Sequence, residues 1–392
     1  MAVKYIDQLD IQKKKVFIRV DFNVPMEQRQ ITSDARIRAS LPTIQYAIEQ
    51  GAKIILASHL GRPKGNVDLK FSLEPCAERL LFYLKKEVIF SKNCEAFGNK
   101  GIVRDMKEGS ILLLENLRFH PGEEANSDHF ALQLSELGDV YINDAFGAVH
   151  RAHASVYALP QLVKVKGAGF LIKKEMEALS FLLKNPPKPF TVIMGGAKIS
   201  DKIDLISRLL ECVDYLMIGG AMAYTFLRAK GKKVGKSLVE EEKISLAERL
   251  LKKAEERRVR LLLPLDHVVT AAVEEGAKTE ITLKDEISGE WMGGDIGPKT
   301  IELYEKVISD SKTIFWNGPM GAFEYSSFCR GTQKVAEAMA KNKGFTVVGG
   351  GDSVSAIQKF KLHYKFSHVS TGGGASLKFL EGKKLPGLVA LE

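Results

Sequence analysis

The residues best able to do chemistry in this chain are arginines and glycines placed where short apolar runs end. Arg19-Val20-Asp21-Phe22-Asn23, His59-Leu60-Gly61-Arg62 and Asn116-Leu117-Arg118-Phe119 stand at such places, and Arg36 and the stretch Val149-His150-Arg151-Ala152-His153 add further cations. A guanidinium binds phosphate or carboxylate through two parallel hydrogen bonds, so this set suits a small anion. At strand period two, Arg19, Asp21 and Asn23 share one face. A strand inside a parallel sheet should be almost wholly apolar, so three polar residues on one face require a buried network or a ligand. His150 and His153 without further ligands are a weak metal signal.

The second half of the chain offers glycine instead. Gly195-Gly196-Ala197-Lys198, Gly219-Gly220-Ala221, Asn317-Gly318-Pro319-Met320-Gly321, Gly349-Gly350-Gly351-Asp352-Ser353 and Thr371-Gly372-Gly373-Gly374 each follow an apolar run. Tight turns want glycine anyway, but five such runs in one half point to backbone N–H groups approaching an anion, helped by helix starts. Lys198 and Lys202 are four apart and would share one face of a helix beginning there. Asp352 is open to two readings, a helix N-cap or a partner of Mg²⁺ beside phosphates. Gly231-Lys232-Lys233-Val234-Gly235-Lys236-Ser237 imitates a Walker A loop but is one residue short between its glycines. No Gly-x-Gly-x-x-Gly occurs, so a dinucleotide site lacks its fingerprint.

These residues must be positioned by a scaffold, and the chain alternates short β-branched runs with amphipathic stretches, the rhythm of parallel sheets covered by helices. Strands are expected at 16–22, 53–57, 88–90, 111–114 and 140–143, and a helix at 36–50 closed by Gly51. A helix over 173–183 is stopped by Asn185-Pro186-Pro187-Lys188-Pro189, the strongest linker signal in the chain. The rhythm restarts with strands near 191–194, 215–218, 260–264, 313–316, 345–348 and 366–369. The fold class is therefore α/β, with two doubly wound parallel-sheet domains and an active-site cleft between them. An N-terminal domain spans 1–172, a hinge helix and linker 173–189, and a C-terminal domain 190–375. Ligands in such sheets sit beyond the carboxyl ends of the strands, where both residue sets fall.

Composition narrows the class of partner. The 392 residues are 45% hydrophobic and 27% charged, which excludes collagen-like and disordered chains. No apolar run nears the ~20 residues of a membrane helix, so no membrane association is expected. The polar start and four scattered cysteines, with no Cys-x-x-Cys, suit a reducing cytoplasm. Lys+Arg exceed Asp+Glu by 57 to 48, a formal +9, which raises nucleic acid or small polyanions as partners. The basic clusters are short and interrupted by acidic residues, so no nucleic acid is expected. One arginine-lined pocket and one glycine cradle together suit a kinase of small molecules. A nicotinamide-dependent dehydrogenase would share the scaffold but lacks both fingerprint and an acid–base pair.

At this point the motifs resemble a known family. Arg19-Val20-Asp21-Phe22-Asn23-Val24-Pro25, Ser58-His59-Leu60-Gly61-Arg62-Pro63, Glu115-Asn116-Leu117-Arg118-Phe119, Gly195-Gly196-Ala197-Lys198, Phe315-Trp316-Asn317-Gly318-Pro319-Met320-Gly321 and the two last glycine runs strongly resemble phosphoglycerate kinase, in order along the chain. The resemblance implies reversible phosphoryl transfer between 1,3-bisphosphoglycerate and ADP, giving 3-phosphoglycerate and ATP, with Mg²⁺. It implies that Asp21, Phe22, Asn23, Arg36, His59, Leu60, Gly61, Arg62, Arg118 and Arg151 hold the phosphoglycerate. It places the nucleotide on Gly196, Lys198, Lys202, Gly293, Glu324, Gly350, Gly351, Asp352 and Ser353, with Asp352 at the metal. Arg36, Lys198, Lys202 and Gly373 would act on the phosphoryl group in transfer. A monomer is implied too, with residues 376–392 folding back onto the N-terminal domain. The sequence departs from the family pattern at Ser353, commonly threonine, at Gly294, commonly larger and apolar, and at Ala322, commonly valine. Ser353 keeps a hydroxyl, whereas Gly294 lies near the implied adenine pocket and could loosen nucleotide selectivity. The acceptor in the reverse direction is a carboxylate, already ionised at pH 7, so no general base is needed. His59 then reads as a hydrogen-bonding positioner.

Overall fold

The computed structural model describes residues 3–392. Strands β1 (Lys15–Val20), β2 (Lys53–Ala57), β3 (Val88–Phe90), β4 (Ile111–Leu113), β5 (Val140–Asp144) and β6 (Val165–Ala168) form one sheet in the order β3-β4-β2-β1-β5-β6. All its pairings are parallel. The β-branched run Ile54-Ile55 and its neighbours are buried on both faces, as helix-covered parallel strands require. Each fully buried Val, Ile or Leu contributes about 1.5–3 kcal/mol. The core beneath this sheet joins Val16, Ile18 and Val20 of β1 to Ile54 and Leu56 of β2 and to Ile37 and Ile44.

A second sheet uses β7 (Phe190–Met194), β8 (Tyr215–Ile218) and β9 (Arg260–Leu262). A small antiparallel sheet follows, made by β10 (His267–Thr270), β11 (Glu280–Ile281) and β12 (Met292–Ile296). Strands β13 (Thr313–Asn317), β14 (Phe345–Gly349) and β15 (His368–Val369) then complete the second parallel sheet in the order β9-β8-β7-β13-β14-β15. Trp316 is fully buried in its core, and its indole N–H donates to the Gly318 carbonyl at 2.7 Å.

Five helices bear on the chemistry: α1 (Ala35–Glu49), α2 (Phe170–Leu183), α3 (Ile203–Leu209), α4 (Gly351–Lys359) and α5 (Gly374–Leu380). Gly51 closes α1 at φ +65°, a conformation glycine adopts without strain. The chain divides into two compact units, one of residues 3–177 with 384–392 and the other of residues 178–383, so α2 passes from one to the other. In the first unit the Gly387 N–H donates to the Val149 carbonyl at 2.9 Å, tying the C-terminal residues down.

Two expectations need correction, and two elements lay outside them. β1 ends at Val20, so Asp21 and Asn23 sit in the following loop and not on a strand face with Arg19. Lys198 and Lys202 do not share a helix face, because α3 begins only at Ile203 and the lysines lie in the preceding turns. The antiparallel sheet and β6 were not foreseen. β6 is four residues long with Gly167 among them, and the edge strand β11 is only two residues long, too little for a period to show.

Candidate active site

In the first unit the ends of three adjacent strands, β4, β2 and β1, feed three loops that hold one another. The Asn23 carboxamide oxygen accepts from the Gly61 N–H at 2.9 Å. The Gly61 carbonyl accepts from Arg118 Nη1 at 2.7 Å. Gly61 stands at φ +62° against the Phe71 ring, which leaves no room for a side chain. Arg36, from the first turn of α1, donates to the Asn23 carbonyl at 2.9 Å and approaches Asp21 Oδ1 at 3.4 Å. Arg118 is buried and faces Glu124 at 3.1 Å. Phe22 and Leu60 are core residues, and their N–H groups are spent inside the loops: the Phe22 N–H donates to Ser58 Oγ at 2.8 Å and the Leu60 N–H to Asn116 Oδ1 at 3.2 Å. Arg62 is exposed, and half-buried Arg151 donates from Nε to His150 Nε2 at 3.2 Å.

The electrostatics of this corner disfavour further positive charge. Burial, followed by Arg19, Arg118, Arg36 and Arg151, holds His59 well below its ordinary value. Burial and the same kind of neighbours push His153 down to about 3, so it is a neutral group and does not add to the cations. The free energy of keeping several guanidinium groups close is recovered when an anion arrives between them.

In the second unit the ends of β7, β13, β14 and β15 converge. Lys202, half-buried ahead of α3, donates to the Gly195 carbonyl and to the Asn317 carbonyl at 3.0 Å. It lines a cavity of about 210 Å³ with Asn317, Gly318, Gly350, Gly351, Asp352, Ser353, Gly373, Gly374 and Leu377. Burial pulls the Lys202 ammonium down to about 8, against an opposing pull from Asp352 and Asp201. Gly350, at φ +91°, caps α4, so Asp352 falls in the first turn and is not the cap. Ser353 is fully buried and its Oγ accepts from the Gly318 N–H at 2.6 Å, joining two glycine loops.

The remaining nucleotide-side residues lie apart from this cavity lining. Gly196, at φ +103°, is pinned by its N–H to the Pro319 carbonyl at 2.9 Å. Lys198 is exposed. Gly293 lies on β12, with its N–H on Ser237 Oγ at 3.0 Å and the Tyr224 hydroxyl where a side chain would begin. Glu324 is exposed, and its carbonyl accepts from Lys359 Nζ at 2.9 Å.

Glu240 was not foreseen. Its carboxylate accepts from the N–H groups of Ile199 and Ser200 and from the Ser200 hydroxyl, at 2.6, 3.2 and 2.6 Å, and so clamps the loop carrying Lys198 and Lys202. The contact spans about forty residues of sequence, and no local spacing signals it. Among the described residues no three His, Cys, Asp or Glu groups gather to hold a metal by themselves. Asp352 nevertheless fits magnesium, which is commonly held by one or two carboxylates together with substrate phosphates.

A guanidinium-rich corner and a corner of glycine turns and lysine, each at the carboxyl ends of a parallel sheet, fit a phosphotransferase of the α/β class. A family model described as phosphoglycerate kinase matches residues 6–383. The chain belongs to the phosphoglycerate kinase family. It is 56% identical over 395 residues to a phosphoglycerate kinase of Anaeromyxobacter sp. (strain Fw109-5), covering all of both chains. It is 51% identical to that of Pseudothermotoga lettingae, over 98% of this chain and 97% of the relative. The solved phosphoglycerate kinase of Coxiella burnetii superposes with a TM-score of 0.89 at 41% identity, over 99% and 98% of the two chains. That of Pyrococcus horikoshii OT3 superposes at 0.87 with 32% identity, over 100% and 98%.

Proposed function

We propose that this chain transfers a phosphoryl group reversibly between 1,3-bisphosphoglycerate and ADP, yielding 3-phosphoglycerate and ATP. The observation that carries the reading is the half-buried Lys202 ammonium, set on two carbonyls at the edge of a glycine-lined cavity. Phosphoryl transfer asks little covalent chemistry of the protein. It needs two anions held in line and charge neutralised on the moving group.

The phosphoglycerate falls to Asp21, Asn23, Arg36, His59, Arg62, Arg118 and Arg151, with Phe22, Leu60 and Gly61 holding the loops that carry them. Arg36 is steered by the Asn23 carbonyl and Asp21, so its second guanidinium nitrogen stays available to an anion. The nucleotide falls to Gly196, Lys198, Gly293, Glu324, Gly350, Gly351 and Ser353. Lys202 neutralises the transferring group, with Gly373 beside it in the cavity wall. Magnesium, held by Asp352 together with the nucleotide phosphates, would supply further neutralisation there. His59 stays neutral and donates a hydrogen bond; the carboxylate acceptor needs no base. Each anion site belongs to its own unit, so transfer requires closure with both substrates bound, read as compaction by small-angle scattering.

The test is incubation with Mg·ATP and 3-phosphoglycerate in the presence of hydroxylamine, which traps an acyl phosphate as the hydroxamate. Hydroxamate formed only with all components supports the reaction. Its absence from folded, nucleotide-binding protein refutes it. No helix is long and apolar enough to cross a membrane among the described residues.

A further inference from the structure

Behind His59 the first unit buries a chain of polar groups that the transfer itself does not use. Arg19 is 1% exposed, while Glu123 and Ser155 are fully buried. Arg19 Nε donates to Ser155 Oγ at 2.8 Å, and Nη1 donates to the Val20 carbonyl at 2.5 Å. The Ser155 hydroxyl donates in turn to Glu123 Oε1 at 2.6 Å, and its N–H to Glu123 Oε2 at 2.9 Å. Glu123 Oε1 also lies 3.8 Å from Arg19 Nη2. Ser155 sits in a single π-turn, Ala154–Ala158, whose backbone carbonyl at Ser155 accepts from the Tyr141 hydroxyl at 2.8 Å. Buried polar groups are costly unless all are satisfied, so this network is built with one orientation of Arg19 in mind.

That orientation has a chemical consequence. Arg19 Nη2 lies 3.2 Å from His59 Nδ1. A guanidinium nitrogen can only donate, so Nδ1 must accept and carry no proton. The neutral ring then bears its proton on Nε2, the nitrogen left as a donor. An imidazolium would have to direct an N–H at the arginine, which geometry and charge both oppose.

We infer that Glu123, Ser155 and Arg19 are positioning residues that lock His59 as the Nε2–H tautomer, so that the ring presents a hydrogen-bond donor to the phosphoglycerate. The inference rests on the reading that His59 belongs to the acceptor site. It assigns the buried triad a role in recognition beyond filling the core. A carboxylate two layers from the ligand acts by fixing an arginine, and the arginine acts by fixing a proton.

Nitrogen-15 NMR of imidazole-labelled protein reads the tautomer in the ligand-free enzyme. The expected wild-type spectrum has His59 Nε2 protonated and Nδ1 bare. Ser155→Ala should populate the other tautomer and raise the KM for 3-phosphoglycerate about tenfold, the loss of roughly one hydrogen bond to a charged ligand, while leaving the KM for ATP within about twofold. Ser155→Thr keeps the hydroxyl and should restore both. A wild-type His59 protonated on Nδ1 overturns the lock without any variant having to fold. An unchanged tautomer in Ser155→Ala overturns it as well. A locked tautomer whose Nε2 signal ignores added 3-phosphoglycerate, with hydroxamate still formed, overturns the positioning role while sparing the enzymatic assignment.

Discussion

Lys202 should give the enzyme an alkaline limit. Its ammonium is pulled from the usual lysine value of 10.5 down to about 8 by burial, and the neighbouring Asp352 and Asp201 resist that pull. The gap corresponds to a penalty of about 3 kcal/mol on the charged form in the ligand-free site. A lysine works here only when charged, so activity is lost as the pH rises through the folded-state value. About nine-tenths of the groups are charged at pH 7 and about one-tenth at pH 9, so kcat/KM for Mg·ATP should fall about tenfold across that interval. The ratio kcat/KM is the proper readout, because it reports the nucleotide-free form, whereas bound phosphates would raise the lysine and move the kcat limb upward. Lys202→Arg carries a charge that does not titrate and should flatten the profile to pH 10. Lys202→Met should lose about 10²–10³ in kcat, the cost of removing one preorganised electrostatic group, and show no alkaline limb. The assay is a coupled rate measurement from pH 6.5 to 10 at saturating 3-phosphoglycerate. A flat wild-type profile, or an alkaline limb retained in Lys202→Met, refutes the reasoning.

Other perturbations follow from the same geometry. Glu240→Ala removes the carboxylate that accepts three hydrogen bonds from the Ile199–Ser200 turn; the KM for ATP should rise about tenfold while that for 3-phosphoglycerate stays put, measured by initial rates. Gly61→Ala would force a left-handed residue and drive its Cβ to 2.3 Å from the Phe71 ring; thermal unfolding should show a loss of about 2 kcal/mol, and the KM for 3-phosphoglycerate should rise. Asp144 is fully buried, and burial raises its carboxyl to about 7 although it accepts from the Leu171 and Ile172 N–H groups. An acid raised in the folded state loses stability as the pH climbs from its unfolded value toward 7, and the penalty is complete above that. Asp144→Asn keeps the accepting oxygen, so its Tm should exceed wild type by several degrees at pH 8.5 and by only about a third of that at pH 5. Equal shifts at both pH values would contradict that assignment.

What could be read along the chain was local. Strand positions such as 53–57 and 215–218 were legible because β-branched runs bounded by turn residues are short-range signals. So were the places of the arginines and of the five glycine runs, since a helix-covered strand must end in a turn. Lys198 and Lys202 looked alike at spacing four; one is exposed and the other is set on the carbonyls of Gly195 and Asn317. Nothing in their own neighbourhood separates them, because Asn317 is brought in by β13, more than a hundred residues later. Phe22 and Leu60 were grouped with the polar residues beside them, and the core took their side chains.

Residue types and spacing by themselves thus determined the α/β class and the separation of an arginine-bearing from a glycine-bearing half, since these depend on patterns a few residues long. Only the tertiary structure decided which charges act and which are spent. Burial sets the protonation of Lys202, His59 and His153. The Glu123–Ser155–Arg19 relay and the Glu240 clamp join segments between about thirty and a hundred and forty residues apart. Desolvation and long-range hydrogen bonds have no period along a chain; they exist only once the sheets have placed distant loops side by side.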